Sequence, residues 1–186
     1  MNITVYLGAS CGNDPVFVQA AEELGSWIAL NGHTLIYGGS ESGLMGILAK
    51  SVLKAGGRAI GVEPQMFVDR CFVFDGLTQL IVTRDMPERK AKMIELGDAF
   101  IAFPGGTGTL EEISEIMSLV SLKMMSAPCI LYNLNGYYEG LRTLLGTMRA
   151  SGLSSAERQA GITFAGSLPE IEAALKVQQA GADPFC

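Results

Sequence analysis

The run Phe103-Pro104-Gly105-Gly106-Thr107-Gly108-Thr109-Leu110-Glu111-Glu112 holds the residue types best suited to chemistry. Its glycines let the backbone turn sharply and approach a ligand closely. An apolar run over 99–103 leads into it, and an amphipathic run over 113–122 continues it. The pattern predicts a buried strand, a tight loop and a helix. Bare N–H groups and the positive dipole end at such a helix start favour an anion, most often a phosphate. The hydroxyls of Thr107 and Thr109 add donors. Neighbouring helical side chains point about 100° apart, so only one of Glu111 and Glu112 is expected to face a ligand on the loop. Two plainer readings stand beside this one: a glycine turn used only for packing, and acids that merely complement the helix dipole.

A second constellation is Asp85-Met86-Pro87-Glu88-Arg89-Lys90. It follows a strand pattern over 79–83 and opens a helix pattern over 87–96. Arg89 can hold a phosphate or a ribose oxygen through paired N–H groups. The plainer reading is an ordinary charged helix start.

Other chemistries find no footing. The loop lacks the third glycine of the dinucleotide fingerprint, and no G-x-x-x-x-G-K-[ST] occurs, so a mononucleotide or sugar phosphate fits better than NAD or a P-loop nucleotide. The chain has one histidine, His33, after Asn31-Gly32, which reads as a surface turn residue. A His-rich metal site cannot be built, and none is expected. Cys11, Cys71, Cys129 and Cys186 form no C-x-x-C pair and are expected as free thiols. The net charge of −6 comes without clustered Lys and Arg, which argues against a nucleic-acid partner. No apolar run reaches the ~18 residues of a membrane span. The first residues read as a strand rather than a signal peptide, so a cytoplasmic protein is expected.

The elements that must position these residues alternate along the chain. Strand signals fall at 3–7, 34–37, 58–62, 79–83, 99–103, 129–132 and 162–164. Helix signals fall at 16–30, 43–55, 87–96, 113–122, 137–150 and 168–176, with Asp14 as N-cap of the first and Gly32 as its stop. Residues 64–78 read as loop or short helix. This alternation predicts an α/β protein, a parallel doubly wound sheet with helices on both faces. Glycine loops at 8–12, 38–46 and 105–108 follow strands, and ligands in such sheets bind at the carboxyl ends of strands. The 186 residues suit one domain, with 181–186 as a frayed tail. The Met-rich stretch 116–125 is apolar around much of its circumference and reads as core helix or subunit interface.

Pro104-Gly105-Gly106-Thr107-Gly108-Thr109-Leu110-Glu111-Glu112 matches the P-G-G-x-G-T-x-x-E signature of the LOG family, and the chain resembles that family over nearly its whole length. Residues 37–46, with Gly38, Gly39 and Gly43, resemble its Y-G-G-G-x-x-G-L-M-G. Gly8-Ala9-Ser10 resembles its first G-S-S loop, and Met86-Pro87-Glu88-Arg89-Lys90 its M-H-x-R-K. The resemblance implies a Rossmann-like homodimer that cleaves the N-glycosidic bond of a nucleoside 5′-monophosphate, AMP or N6-modified AMP, without a cofactor. It implies Arg89 and Glu112 as the catalytic pair. Gly8, Ser10, Gly38, Gly39, Gly43, Met86, Lys90, Pro104 and the loop Gly105 to Thr109 would hold the nucleotide, with Ser118 as a further contact.

The chain also departs from the pattern. Pro87 replaces a histidine, Ser40 a glycine and Ala9 a serine. Cys71 falls, by spacing, where plant-type members carry a substrate-contacting glutamate. These departures leave the phosphate and ribose end intact and bear on base preference. Two rival functions stand beside the hydrolase: a PLP-dependent decarboxylase, for which none of the six lysines has a recognisable setting, and a non-catalytic nucleotide or cofactor carrier.

Overall fold

The computed structural model describes residues 1–181; of the tail 181–186 expected to fray, Gly181 closes a helix and the rest lies outside them. The elements run β1 (Asn2–Tyr6), α1 (Pro15–Leu30), β2 (Thr34–Tyr37), α2 (Gly43–Lys54), β3 (Arg58–Pro64), α3 (Gln65–Val68), β4 (Gln79–Thr83) and α4 (Met86–Leu96). They continue with β5 (Ala99–Ala102), α5 (Thr107–Ser121), β6 (Cys129–Tyr132), a 3-10 turn (Leu134–Gly136), α6 (Glu139–Ala150), α7 (Ala156–Gln159), β7 (Ile162–Ala165) and α8 (Leu168–Gly181). The chain divides into two compact units, Met1–Asp98 and the part from Ala99 onward.

In the first unit the strands lie in the order β4-β3-β2-β1. All pairings are parallel, with Asn2 opposite Thr34, Thr34 opposite Arg58 and Ile60 opposite Gln79. Successive residues of β1, β2 and β3 are buried, which means that both faces are covered, as parallel sheets require. β4 is largely exposed. Asp14 caps α1 by accepting from Val16 N, and Pro15 starts the helix with its φ preset. Leu24 and Ile28 of α1 are fully buried, each contributing about 1.5–3 kcal/mol of apolar transfer. Gly32, at φ +69°, ends the helix as expected.

In the second unit the order is β5-β6-β7, again parallel, with Phe100 opposite Cys129 and Cys129 opposite Ile162. β5 and β6 are buried along their length. The chain is thus α/β and Rossmann-like, with every strand parallel to its neighbours, as the alternation predicts.

Three local expectations are corrected. The helix predicted over 137–150 begins at Glu139, because Asn135 at φ +50° and Gly136 at φ +78° turn the chain first. The helical pattern over 116–125 stops at Ser121. Ile113 and Ile116 are core, whereas Leu122 and Met124 are exposed. His33 is half-buried rather than a bare turn residue, edge-on to Trp27 at 5.4 Å. Burial, then the nearby chain N-terminus, lowers its pKa. Cys11, Cys71 and Cys129 are free, and burial raises the Cys129 thiol to about 12. Among the described residues no helix is long and apolar enough to cross a membrane, and no cluster of His, Cys, Asp and Glu is arranged for a metal ion.

Candidate functional site

In the first unit, Arg89 is the residue around which the rest is arranged. It sits one turn into α4 and is 9% exposed. Its Nε donates to the carbonyl oxygen of Val62 at 3.1 Å and lies 3.8 Å from the Glu63 carboxylate. Its Nη1 lies 4.0 Å from the Met86 sulfur. A cation taken this far out of water needs a counter-charge, and Glu63, itself 6% exposed, supplies one. The glycine loop after β2 makes room for it, since a Cβ on Gly38 would stand 2.5 Å from Arg89 Nη2.

The loops after β1 and β2 meet backbone to backbone. A Cβ on Gly43, which has φ +55°, would lie 2.2 Å from the carbonyl oxygen of Ala9. Only glycine allows that approach. Gly8, Ser10, Gly38, Gly39 and Gly43 are therefore brought to one strand edge of this unit. Ser10 Oγ accepts from Gly12 N at 3.3 Å, and Ser40 Oγ from Ser42 N at 3.1 Å. Lys90 is half-buried, one residue beyond Arg89.

The start of α4 serves itself. Asp85 accepts from Glu88 N at 2.9 Å, and Glu88 in turn accepts from Arg84 N at 2.7 Å. The hydrogen bonds that Glu88 accepts from Arg84 N and Arg84 Nε, with the Arg84 charge, hold its carboxyl below its usual range. A helix start filled by its own acids is not an anion site.

The second unit contrasts with this. Gly106 is the N-cap of α5, extended at φ −88° and ψ −159°, and offers no side-chain cap. The first bond within the helix runs from Leu110 N to Gly106 O at 3.1 Å. The N–H groups of Thr107, Gly108 and Thr109 precede that bond and are left to outside partners. A Cβ on Gly106 or Gly108 would meet nothing within 4 Å, so packing in the chain does not demand glycine at either position. Thr109 is 3% and Glu112 8% exposed, whereas Glu111 is exposed. The two acids separate as the helical angle predicts. Ser118 lies elsewhere: it is exposed about three turns along α5, its Oγ donating to Ser114 O at 2.9 Å. This unit does not bring it to the loop.

Three participants were missed in the sequence. Glu63 ends a β pattern and looks like any strand acid. Tyr137 and Tyr138 look like a helix start. In the structure Tyr138 Oη donates to Phe103 O at 2.8 Å, and Tyr137 Oη to Gly105 O at 2.5 Å. Both reach the backbone of the glycine loop. The available signal was Asn135-Gly136, a turn pair placed after a strand parallel to β5.

A family model described as "Possible lysine decarboxylase" matches residues 45–175. The cytokinin riboside 5′-monophosphate phosphoribohydrolase of Rhodococcoides fascians is 45% identical over 141 residues, covering 75% of this chain and 71% of that one. The chain belongs to the LOG family. A LOG-family relative from Oryza sativa subsp. japonica, a "Probable cytokinin riboside 5′-monophosphate phosphoribohydrolase", is 37% identical over 91% of this chain and 76% of its own. Among solved structures, the Moco carrier protein from Chlamydomonas reinhardtii superposes with a TM-score of 0.71 at 24% identity, covering 97% of this chain and 98% of that one. That likeness shows the fold alone. The molybdenum cofactor binding protein from Rippkaea orientalis has a TM-score of 0.69 at 27% identity, over 95% of both chains.

Proposed function

We propose that this LOG-family chain hydrolyses the N-glycosidic bond of a purine nucleoside 5′-monophosphate, AMP or N6-modified AMP, to free base and ribose 5-phosphate. The observation that carries the reading is the identity of up to 45% to relatives named as phosphoribohydrolases. The buried Arg89 and Glu112 support it from the side of chemistry.

The N–H groups at the start of α5 hold the phosphate, with Lys90. Breaking the bond builds positive charge at the ribose C1′ as the base takes the bonding electrons. The Glu112 carboxylate stabilises that charge and accepts a proton from the attacking water. Water adds to C1′, and the base leaves after gaining a proton. Arg89 positions the sugar phosphate. Water is the only co-substrate, so no cofactor enters. A homodimer joined through the apolar surface of α5 and α6 and a cytoplasmic setting complete the proposal.

The carrier reading draws on the molybdenum cofactor binding protein at 27% identity. The hydrolase relatives are more similar, and a carrier has no use for a buried carboxylate behind a phosphate loop. Incubation with AMP followed by chromatography decides between them: free adenine and ribose 5-phosphate are expected. Intact AMP alongside a tight complex would favour the carrier. A flat absorbance spectrum beyond 300 nm would dispose of bound PLP.

A further inference from the structure

We propose that Tyr137 is a positioning residue that fixes the Gly105–Gly106 peptide in the one orientation that aims the Gly106 N–H at the phosphate. The proposal rests on reading the loop before α5 as the phosphate site. β5 and β6 are parallel neighbours, so the chain leaves both at the same edge. There the turn at Asn135 and Gly136 presents Tyr137 and Tyr138. Their rings meet edge to face at 5.0 Å. Asn133 secures the turn, its Oδ1 accepting from Tyr138 N at 2.7 Å and its Nδ2 donating to Glu139 Oε1. The tyrosines are therefore delivered by a rigid element.

Their hydroxyls take the carbonyls on the two sides of Pro104. Tyr138 takes Phe103 O, and Tyr137 takes Gly105 O. The two bonds differ in consequence. The peptide after Phe103 ends in a proline nitrogen, which has no N–H to aim. The peptide after Gly105 ends in Gly106, whose N–H points opposite to the carbonyl in a trans peptide. With Gly105 O held by Tyr137, that N–H faces away from the tyrosine. A glycine on each side leaves little steric resistance to a flip of this peptide. A flipped peptide would set a carbonyl oxygen, not an N–H, against an anion. The Tyr137 hydroxyl opposes that flip.

The test uses Tyr137→Phe and Tyr138→Phe, each of which removes one hydroxyl and keeps the ring. KM for AMP and the inhibition constants of ribose 5-phosphate and adenosine are measured for both and for the wild type. For Tyr137→Phe, KM for AMP and the ribose 5-phosphate constant should rise together about 3- to 10-fold, the weight of one neutral hydrogen bond. The adenosine constant should not move, nor should Tm by more than about 2 °C. Tyr138→Phe should lower Tm and leave the preference for phosphate-bearing ligands intact. An unchanged AMP preference in Tyr137→Phe overturns the proposal. So does a raised adenosine constant, which would make Tyr137 a base contact. If the wild type itself binds adenosine as well as ribose 5-phosphate, the phosphate reading fails first, and visibly so.

Discussion

Gly38 and Arg89 share one space: a Cβ on the glycine would stand 2.5 Å from the arginine Nη2. The displaced atom is the end of a flexible side chain, so Gly38→Ala should fold. The guanidinium must shift by an ångström or more, which is enough to cost up to ~10²-fold when a reacting group is misplaced. Gly38→Ala should lose at least about tenfold in kcat/KM for AMP with Tm nearly unchanged. Wild-type activity would mean that Arg89 has no fixed role.

Glu112→Gln keeps the size of a buried side chain and removes its charge. Turnover of AMP should fall about 10²-fold or more, the scale of losing one transition-state stabiliser. KM should change much less, because the phosphate contacts remain. Glu111→Gln, at an exposed position on the same turn, is the control and should cost little. Equal rates for wild type and Glu112→Gln would reduce the acid to a helix-end charge.

Leu110, Met117, Leu141, Leu144 and Met148 line a groove of about 500 Å³ between α5 and α6. Leu122, Met124 and Leu144 are exposed nearby. Apolar surface of this kind marks association sites. Light scattering should find a dimer at micromolar concentration, and Leu144→Glu should shift it to monomer. A wild-type monomer under those conditions removes the idea.

His33 titrates below its ordinary value of 6.5, first because it is partly buried and second because of the chain N-terminus. Between that value and the lower folded one, the unfolded chain binds more protons. Stability contributed by neutral His33 is therefore present above pH 6.5 and lost as pH falls through the folded pKa. His33→Phe keeps a ring against Trp27 and removes the proton site. Its Tm should drop less than that of the wild type between pH 7.5 and 5.5. Parallel pH profiles would show that His33 is not the group responsible.

The parts of the fold legible in the sequence were those written in local period and punctuation. Asp14, Pro15 and Gly32 framed α1 correctly because caps and stops act within a few residues. The glycine loops were legible for the same reason. What stayed hidden depends on contacts distant in sequence. Nothing near Glu63 distinguishes an acid paired with Arg89 from one facing water. The Tyr137 and Tyr138 hydroxyls act on carbonyls 32 and 35 residues back. Helix α7, four residues between two turns, carries too little period to read.

Glu63 also bears on time rather than affinity. An arginine whose charge is already shared with a carboxylate gains less from each phosphate or ribose oxygen that arrives. Ligand held by such a group leaves sooner, since differences in grip appear chiefly in the rate of departure. For a hydrolase, the species that must depart is the sugar phosphate left after the base has gone. On the proposed reading, Glu63 would shorten the time the sugar phosphate dwells on Arg89, and Glu63→Gln should slow product release.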